Sequence, residues 1–142
     1  MRNQVLLVTP DRDWVEALML ALGDEPRLGT VCLARDAASA RRLGSRHEPD
    51  VVILDSGLGE AAVAEVIRDL DRDPNPAHYV LLTDKEGAVA RDQARGVGAA
   101  DYLPRGLGAP HLDRFIHKLE GVGRFPLPFS RLPTISRPAL GG

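Results

Sequence analysis

Asp55 ends the run Pro49-Asp50-Val51-Val52-Ile53-Leu54-Asp55-Ser56-Gly57, in which four apolar residues, three of them β-branched, lead into a carboxylate. The run is too short for a helix and predicts a strand buried on both faces, as in the middle of a parallel sheet. Ligands and chemistry collect at the C-terminal edge of such a sheet, so Asp55 stands where a functional acid is expected. The alternative is that it only opens a turn with Ser56-Gly57. Three further sets of polar residues follow short apolar runs in the same way. They are Thr9, Pro10 and Asp11 after Val5-Leu6-Leu7-Val8, Thr83 and Asp84 after Tyr79-Val80-Leu81-Leu82, and Arg105 after Ala99-Ala100-Asp101-Tyr102-Leu103-Pro104. A hydroxyl, a guanidinium and several carboxylates at one edge would make a site able to close on itself.

Helical patterns separate these runs. Trp14, Val15, Leu18 and Leu22 recur at helical spacing before Pro26, with Pro10 in the first turn and Thr9 or Asp11 as cap. A weaker strand, Val31 to Ala34, is followed by an Ala-rich helix from about Asp36 to His47, with Ala37, Ala40 and Leu43 on one face. The next helix, Gly59 to Leu70, turns Val63, Val66, Ile67 and Leu70 inward. Pro74-Asn75-Pro76 is a loop, Glu86 to Arg95 a fourth helix stopped by Gly96-Val97-Gly98, and Pro110 to Leu119 a fifth, with Leu112, Phe115, Ile116 and Leu119 inward. Five strands alternating with five helices predict an α/β fold: a flavodoxin-like, doubly wound, five-stranded parallel sheet of order 2-1-3-4-5. That order brings the ends of strands one, three, four and five around one crevice.

The 142 residues, 44% hydrophobic and 27% charged, suit one domain with a sizeable core. A formal net charge of -2 gives no general attraction to nucleic acid or to an acidic membrane. Cys32 is the single cysteine, which excludes an intrachain disulfide or a cysteine-based metal cluster, and it is expected in a buried strand. Without a transmembrane run or a signal peptide the expected location is cytoplasmic. His47, His78, His111 and His117 share no metal-ligand spacing and are expected at the surface. Gly57-Leu58-Gly59 lacks the Gly-Lys-Ser/Thr ending of a phosphate loop. Trp14 is expected in core or boundary packing, with roofing of the site as the alternative.

The apolar run ending at Asp55, together with Val5-Leu6-Leu7-Val8, Leu81-Leu82-Thr83 and Gly98-Ala99-Ala100-Asp101-Tyr102-Leu103-Pro104-Arg105, resembles the receiver domain of two-component response regulators over roughly residues 4–121. The resemblance implies that Asp55 matches the aspartate that accepts a phosphoryl group from a histidine kinase. It also matches Thr83 to the hydroxyl that bonds the phosphoryl group and Tyr102 to the aromatic whose rotamer reports the switch. Other positions depart from the pattern. The acidic pair that helps hold Mg²⁺ falls on Thr9 and Pro10, the lysine on Arg105, the following proline on Gly106, and a small residue on Asp84.

Thr9 offers Mg²⁺ only a neutral oxygen and Pro10 none, while Asp11 reads as a helix-cap acid, so metal binding is expected to be weak. Arg105 can pair with Asp55 through two parallel bonds, with solvent exposure as the alternative and Asp84 as a competitor. Residues 122–142 read as a Pro-rich tail or linker, with arginines and no acid, although Phe125, Leu127 and Phe129 allow docking on the domain or on a neighbouring chain. The expected protein is an atypical receiver: a non-enzymatic interaction module in signalling, with little phosphorylation, no metal and no cofactor. Its expected partner is a signalling protein such as a histidine kinase or an output protein, with homodimerisation open and no nucleic acid or membrane. One alternative is a Mg²⁺-dependent phosphoacceptor modified at Asp55; another is a small-molecule-binding flavodoxin-like domain.

Overall fold

A computed structural model describes residues 3–22, 28–71 and 77–106. Its elements are β1 (Asn3–Val8), α1 (Arg12–Leu22), β2 (Leu28–Ala34), α2 (Ala37–His47), β3 (Val51–Asp55), α3 (Glu60–Leu70), β4 (His78–Thr83), α4 (Gly87–Val97) and β5 (Asp101–Pro104), with a single 3-10 turn at Ser56–Leu58. The strands form one sheet of order β2-β1-β3-β4-β5, parallel at every pairing. This is the flavodoxin-like order expected from the alternation of short apolar runs with helices.

Each strand splits its side chains between two cores, because successive residues point to opposite faces. Val5, Leu7, Val51, Ile53, Val80, Leu82 and Leu103 pack with Leu18, Trp14 and Val15 of α1. Leu6, Val8, Val52, Leu54, Tyr79 and Leu81 pack with Ala40, Val63, Val66, Ala94 and Val97 of α2, α3 and α4. β3 is buried at all five positions, as its uninterrupted apolar run requires. At Gly44 a Cβ would come within 2.7 Å of Leu70 Cδ2, so glycine lets α2 approach α3 there.

Several boundaries differ from the sequence reading, each for a local reason. The cap of α1 is Asp11, whose Oδ1 accepts from Trp14 N at 3.1 Å, so Pro10 precedes the cap instead of lying in the first turn. Gly96 and Val97 continue α4, since Val97 is buried in the core, and the chain turns at Gly98, which adopts the left-handed conformation with φ 94°. Ala99 and Ala100 precede β5. Cys32 is only partly buried, because β2 is an edge strand, and neighbouring Leu33 is exposed. His47 is exposed and His78 half-buried in β4. The loop at Pro74–Pro76, the helix expected at 110–119 with His111 and His117, and the tail at 122–142 lie outside the described residues. No helix among the described residues is long and apolar enough to cross a membrane.

Candidate functional site

The strand period also sorts the polar residues at the sheet edge. Asp55 continues the series Val51, Ile53, and it pairs in register with Leu82; Thr9 continues Val5, Leu7, and Arg105 continues Leu103. All three belong to the face covered by α1. The ladder extends just far enough to hold them, since Thr9 N donates to Ala34 O at 2.9 Å and Arg105 N to Thr83 O at 2.8 Å. Thr83 belongs to the opposite series with Tyr79 and Leu81, and Tyr102 pairs with Leu81 and packs on that second core. The structure therefore gathers Thr9, Asp11, Asp55, Asp84 and Arg105, and directs Thr83 and Tyr102 to the other side. Pro10 is exposed beside the cluster.

Asp55 is 2% exposed and fully engaged. Its Oδ1 accepts from Gly57 N at 2.8 Å and from Arg105 Nη2; its Oδ2 accepts from Thr9 Oγ1 at 2.5 Å and from Arg105 Nη1 at 3.1 Å. A carboxylate has about four acceptor positions, so none is left over. The two Arg105 bonds are the parallel pair that a guanidinium forms and an ammonium does not. Burial pushes the Asp55 carboxyl up, but Arg105, Thr9 and Gly57 together outweigh it and hold the group below the usual carboxylate range. Asp55 in turn raises Arg105, against burial and with help from Asp84.

Arg105 ties together four loops. Besides Asp55 it donates from Nε to Asp84 Oδ1 at 2.7 Å, and its Nη1 lies 3.6 Å from Asp11 Oδ2. Asp84 thus shares the guanidinium instead of competing for it, and Arg105 does not point into solvent. Trp14 packs on the α1-side core and also fastens this loop, because its Nε1 donates to Arg105 O at 2.8 Å. That indole bond, foreshadowed only by the early position of Trp14 in α1, needed the fold to be seen. So did Gln93 on α4, whose Oε1 lies 2.6 Å from Thr83 Oγ1. A half-buried glutamine beside Ala90 and Ala94 on a core-facing stripe was the available signal.

The sequence profile of the response regulator receiver domain matches residues 5–117. The chain belongs to this family. It is 31% identical, over 69% of its length, to protein-glutamate methylesterase/protein-glutamine glutaminase 2 of Nitratidesulfovibrio vulgaris, covering 27% of that protein. It is 30% identical to the transcriptional regulatory protein KdpE of Mycobacterium tuberculosis, over 75% of this chain and 51% of that one. The chain thus spans between about a quarter and a half of these relatives. In fold it is similar to the receiver domain of Ssk1 crystallised with the histidine phosphotransfer protein Ypd1 from Saccharomyces cerevisiae, with a TM-score of 0.73 at 19% identity, covering 92% of this chain and 94% of that one. The NarL receiver domain of M. tuberculosis gives 0.70 at 22% identity, over 84% and 98% of the two chains.

Receiver domains of the usual pattern hold Mg²⁺ beside the aspartate, and the donors of this receiver do not fit that ion. Mg²⁺ requires carboxylates with waters in near-octahedral array. Here the Thr9 hydroxyl donates to Asp55 and accepts from Asp11 N at 3.1 Å, Pro10 has no donor atom, and Asp11 caps α1 and faces Arg105. Asp55 itself already faces a cation. No group of three or more His, Cys, Asp or Glu among the described residues is arranged to hold a metal. A separate groove of about 460 Å³ runs between Pro10, the end of β2 and α2, where Arg35, Asp36, Ser39 and Arg42 give it a polar lining.

Proposed function

We propose that this receiver acts in two-component-type signalling as a protein-interaction module whose Asp55 is held in a standing ion pair and exchanges little phosphoryl group. The observation that carries this reading is the two-bond pair from Arg105 to Asp55, completed by Thr9 and Gly57. A nucleophilic carboxylate needs a free oxygen and a cation on the incoming phosphoryl group. Here both oxygens are engaged, and among the described residues the cation at Asp55 is the group that engages them. The guanidinium does for the resting fold what a bound metal and lysine would do during transfer: it neutralises Asp55, and it stays.

On this reading the described residues serve no catalytic step, and the signal passes through surfaces. The partner is a signalling protein, either a histidine kinase or phosphotransfer protein of the sort seen with Ssk1, or an output protein. The family's working chemistry has one specific observation in its favour, since Asp55 and Thr83 are both retained. The second reading is therefore a Mg²⁺-dependent phosphoacceptor modified at Asp55, and on it Arg105 would swing away during transfer. Intact-mass measurement after incubation with acetyl phosphate and Mg²⁺ separates the two. The ion-paired reading expects almost no added mass; stoichiometric addition at Asp55 would establish the phosphoacceptor instead.

A further inference from the structure

Arg105 lies just past the end of β5, and its N–H still joins the ladder by donating to Thr83 O at 2.8 Å. Its carbonyl cannot follow. β4 has ended at Thr83, and the donor that would come next, Lys85 N, is turned to Thr83 Oγ1 at 3.0 Å. The carbonyl is taken from the other side of the site by α1, where Trp14 Nε1 donates to Arg105 O at 2.8 Å. An indole has a donor and no acceptor, and the ring packs with Val15 and Leu18 in the core under α1, so this proton has a fixed direction. The same turn of helix meets the far end of the side chain. Asp11 caps Trp14 N through Oδ1 at 3.1 Å, and its Oδ2 lies 3.6 Å from Arg105 Nη1. Both main-chain groups of Arg105 are thus fixed, one to β4 and one to α1.

We infer that Trp14 is a positioning residue whose indole N–H sets the backbone of Arg105 so that the guanidinium meets Asp55 with two bonds, coupling the ion pair to the placement of α1. The inference deepens the ion-paired reading and rests on it for one point, that the pair is the resting state of Asp55. Asp55 is a fixed target, held by Thr9 and Gly57. An arginine is a long, rotamer-rich side chain, and two parallel bonds to a fixed carboxylate demand that it start from a fixed place. The indole supplies that place where the strand no longer does. A partner that tilts α1 draws the indole from Arg105 O, and the loss passes through Arg105 to Asp55 with no phosphoryl group involved.

The test reads the Arg105 guanidinium by nuclear magnetic resonance in the isotope-labelled full chain, its signals assigned by their loss in Arg105→Ala. The parent is expected to show separate signals for the two Nη groups, as a doubly bonded guanidinium does, and slow exchange of the Nε proton with water. Trp14→Phe keeps a ring in the core and removes the donor. The Nη signals should then merge, and Nε–H exchange should become roughly tenfold faster. Leu18→Ala opens a cavity in the same core from the same helix, and it should lower the melting temperature while leaving both readouts at parent values. Parent-like signals in Trp14→Phe, or equal changes in the two variants, would overturn the inference and leave the ion pair standing. Trp14 is the single tryptophan of the chain. Should Trp14→Phe fail to fold, a benzothiophene analogue can replace the indole there alone, exchanging N–H for sulfur at nearly the same shape. Merged signals with faster exchange would support the positioning role, and parent values would overturn it. Averaged Nη signals already in the parent would sink the ion-paired reading itself, and this inference with it.

Discussion

At the scale of single residues, the decisive fact is that a buried carboxylate and a largely buried guanidinium complete each other. Removing one partner of such a pair leaves a charge without compensation, which typically costs several kcal/mol. Arg105→Ala should therefore destabilise the domain by about 3 kcal/mol, because Asp55 stays buried against only Thr9 and Gly57. Asp55→Asn should cost less, since a neutral amide leaves no buried charge and Arg105 keeps the exposed Asp84. Urea unfolding of both variants gives the order, and a more damaging Asp55→Asn would contradict it. The same pair sets the acid response. The Asp55 pKa is lower folded than unfolded, so its contribution to stability is fully present above the ordinary carboxylate value, about 4. That contribution declines as pH falls below that value and is gone beneath the folded pKa.

At the scale of elements, the site depends on where strands end and which way their last residues face. Asp55 and Arg105 could be singled out from the sequence because each follows a short apolar run, and alternation along each strand already contained their shared face. Register was what the sequence lacked: only the pairing of Asp55 with Leu82, and of Thr83 with Pro104, shows that Thr83 belongs to the other side. Gln93 escaped notice for a related reason, since its role requires the rotation of α4 relative to β4. The cap of α1 was open between Thr9 and Asp11, and the hydroxyl of Thr9 turns instead to Asp55. The strand-one end can be probed by Thr9→Asp with Pro10→Asp. Replacing the Thr9 donor by a carboxylate crowds Asp55 with like charge, so melts without cation should fall, and Mg²⁺ should recover part of the loss by binding the folded state. An equal Mg²⁺ response in variant and parent would count against the placement of Thr9 and Pro10 at the metal position.

At the scale of the whole molecule, the architecture was legible almost entirely from the alternation of apolar runs and helical patterns, because only a right-handed doubly wound sheet accommodates it. On the proposed function, a rim tied by Arg105, Trp14 and Gln93 leaves the surfaces of the domain to carry recognition. On the same reading, Tyr102, half-buried on the face shared with α4, is the aromatic expected to anchor a partner. On the proposed function, Asp55→Asn should keep most of the affinity for a partner obtained by pull-down, whereas Tyr102→Ala should lose roughly 1 to 3 kcal/mol. Titration calorimetry compares them, and loss of binding in Asp55→Asn alone would return the phosphoacceptor reading to first place.

The central claim, that Arg105 holds Asp55 ionised and occupied, is tested most directly by following the Asp55 side-chain carboxyl carbon by resonance through an acid titration, in the parent and in Arg105→Ala. The account predicts a pKa below the usual carboxylate range in the parent. In the variant the pKa should rise, because burial is then opposed only by Thr9 and Gly57. An ordinary pKa in the parent, unmoved by loss of the guanidinium, would contradict it.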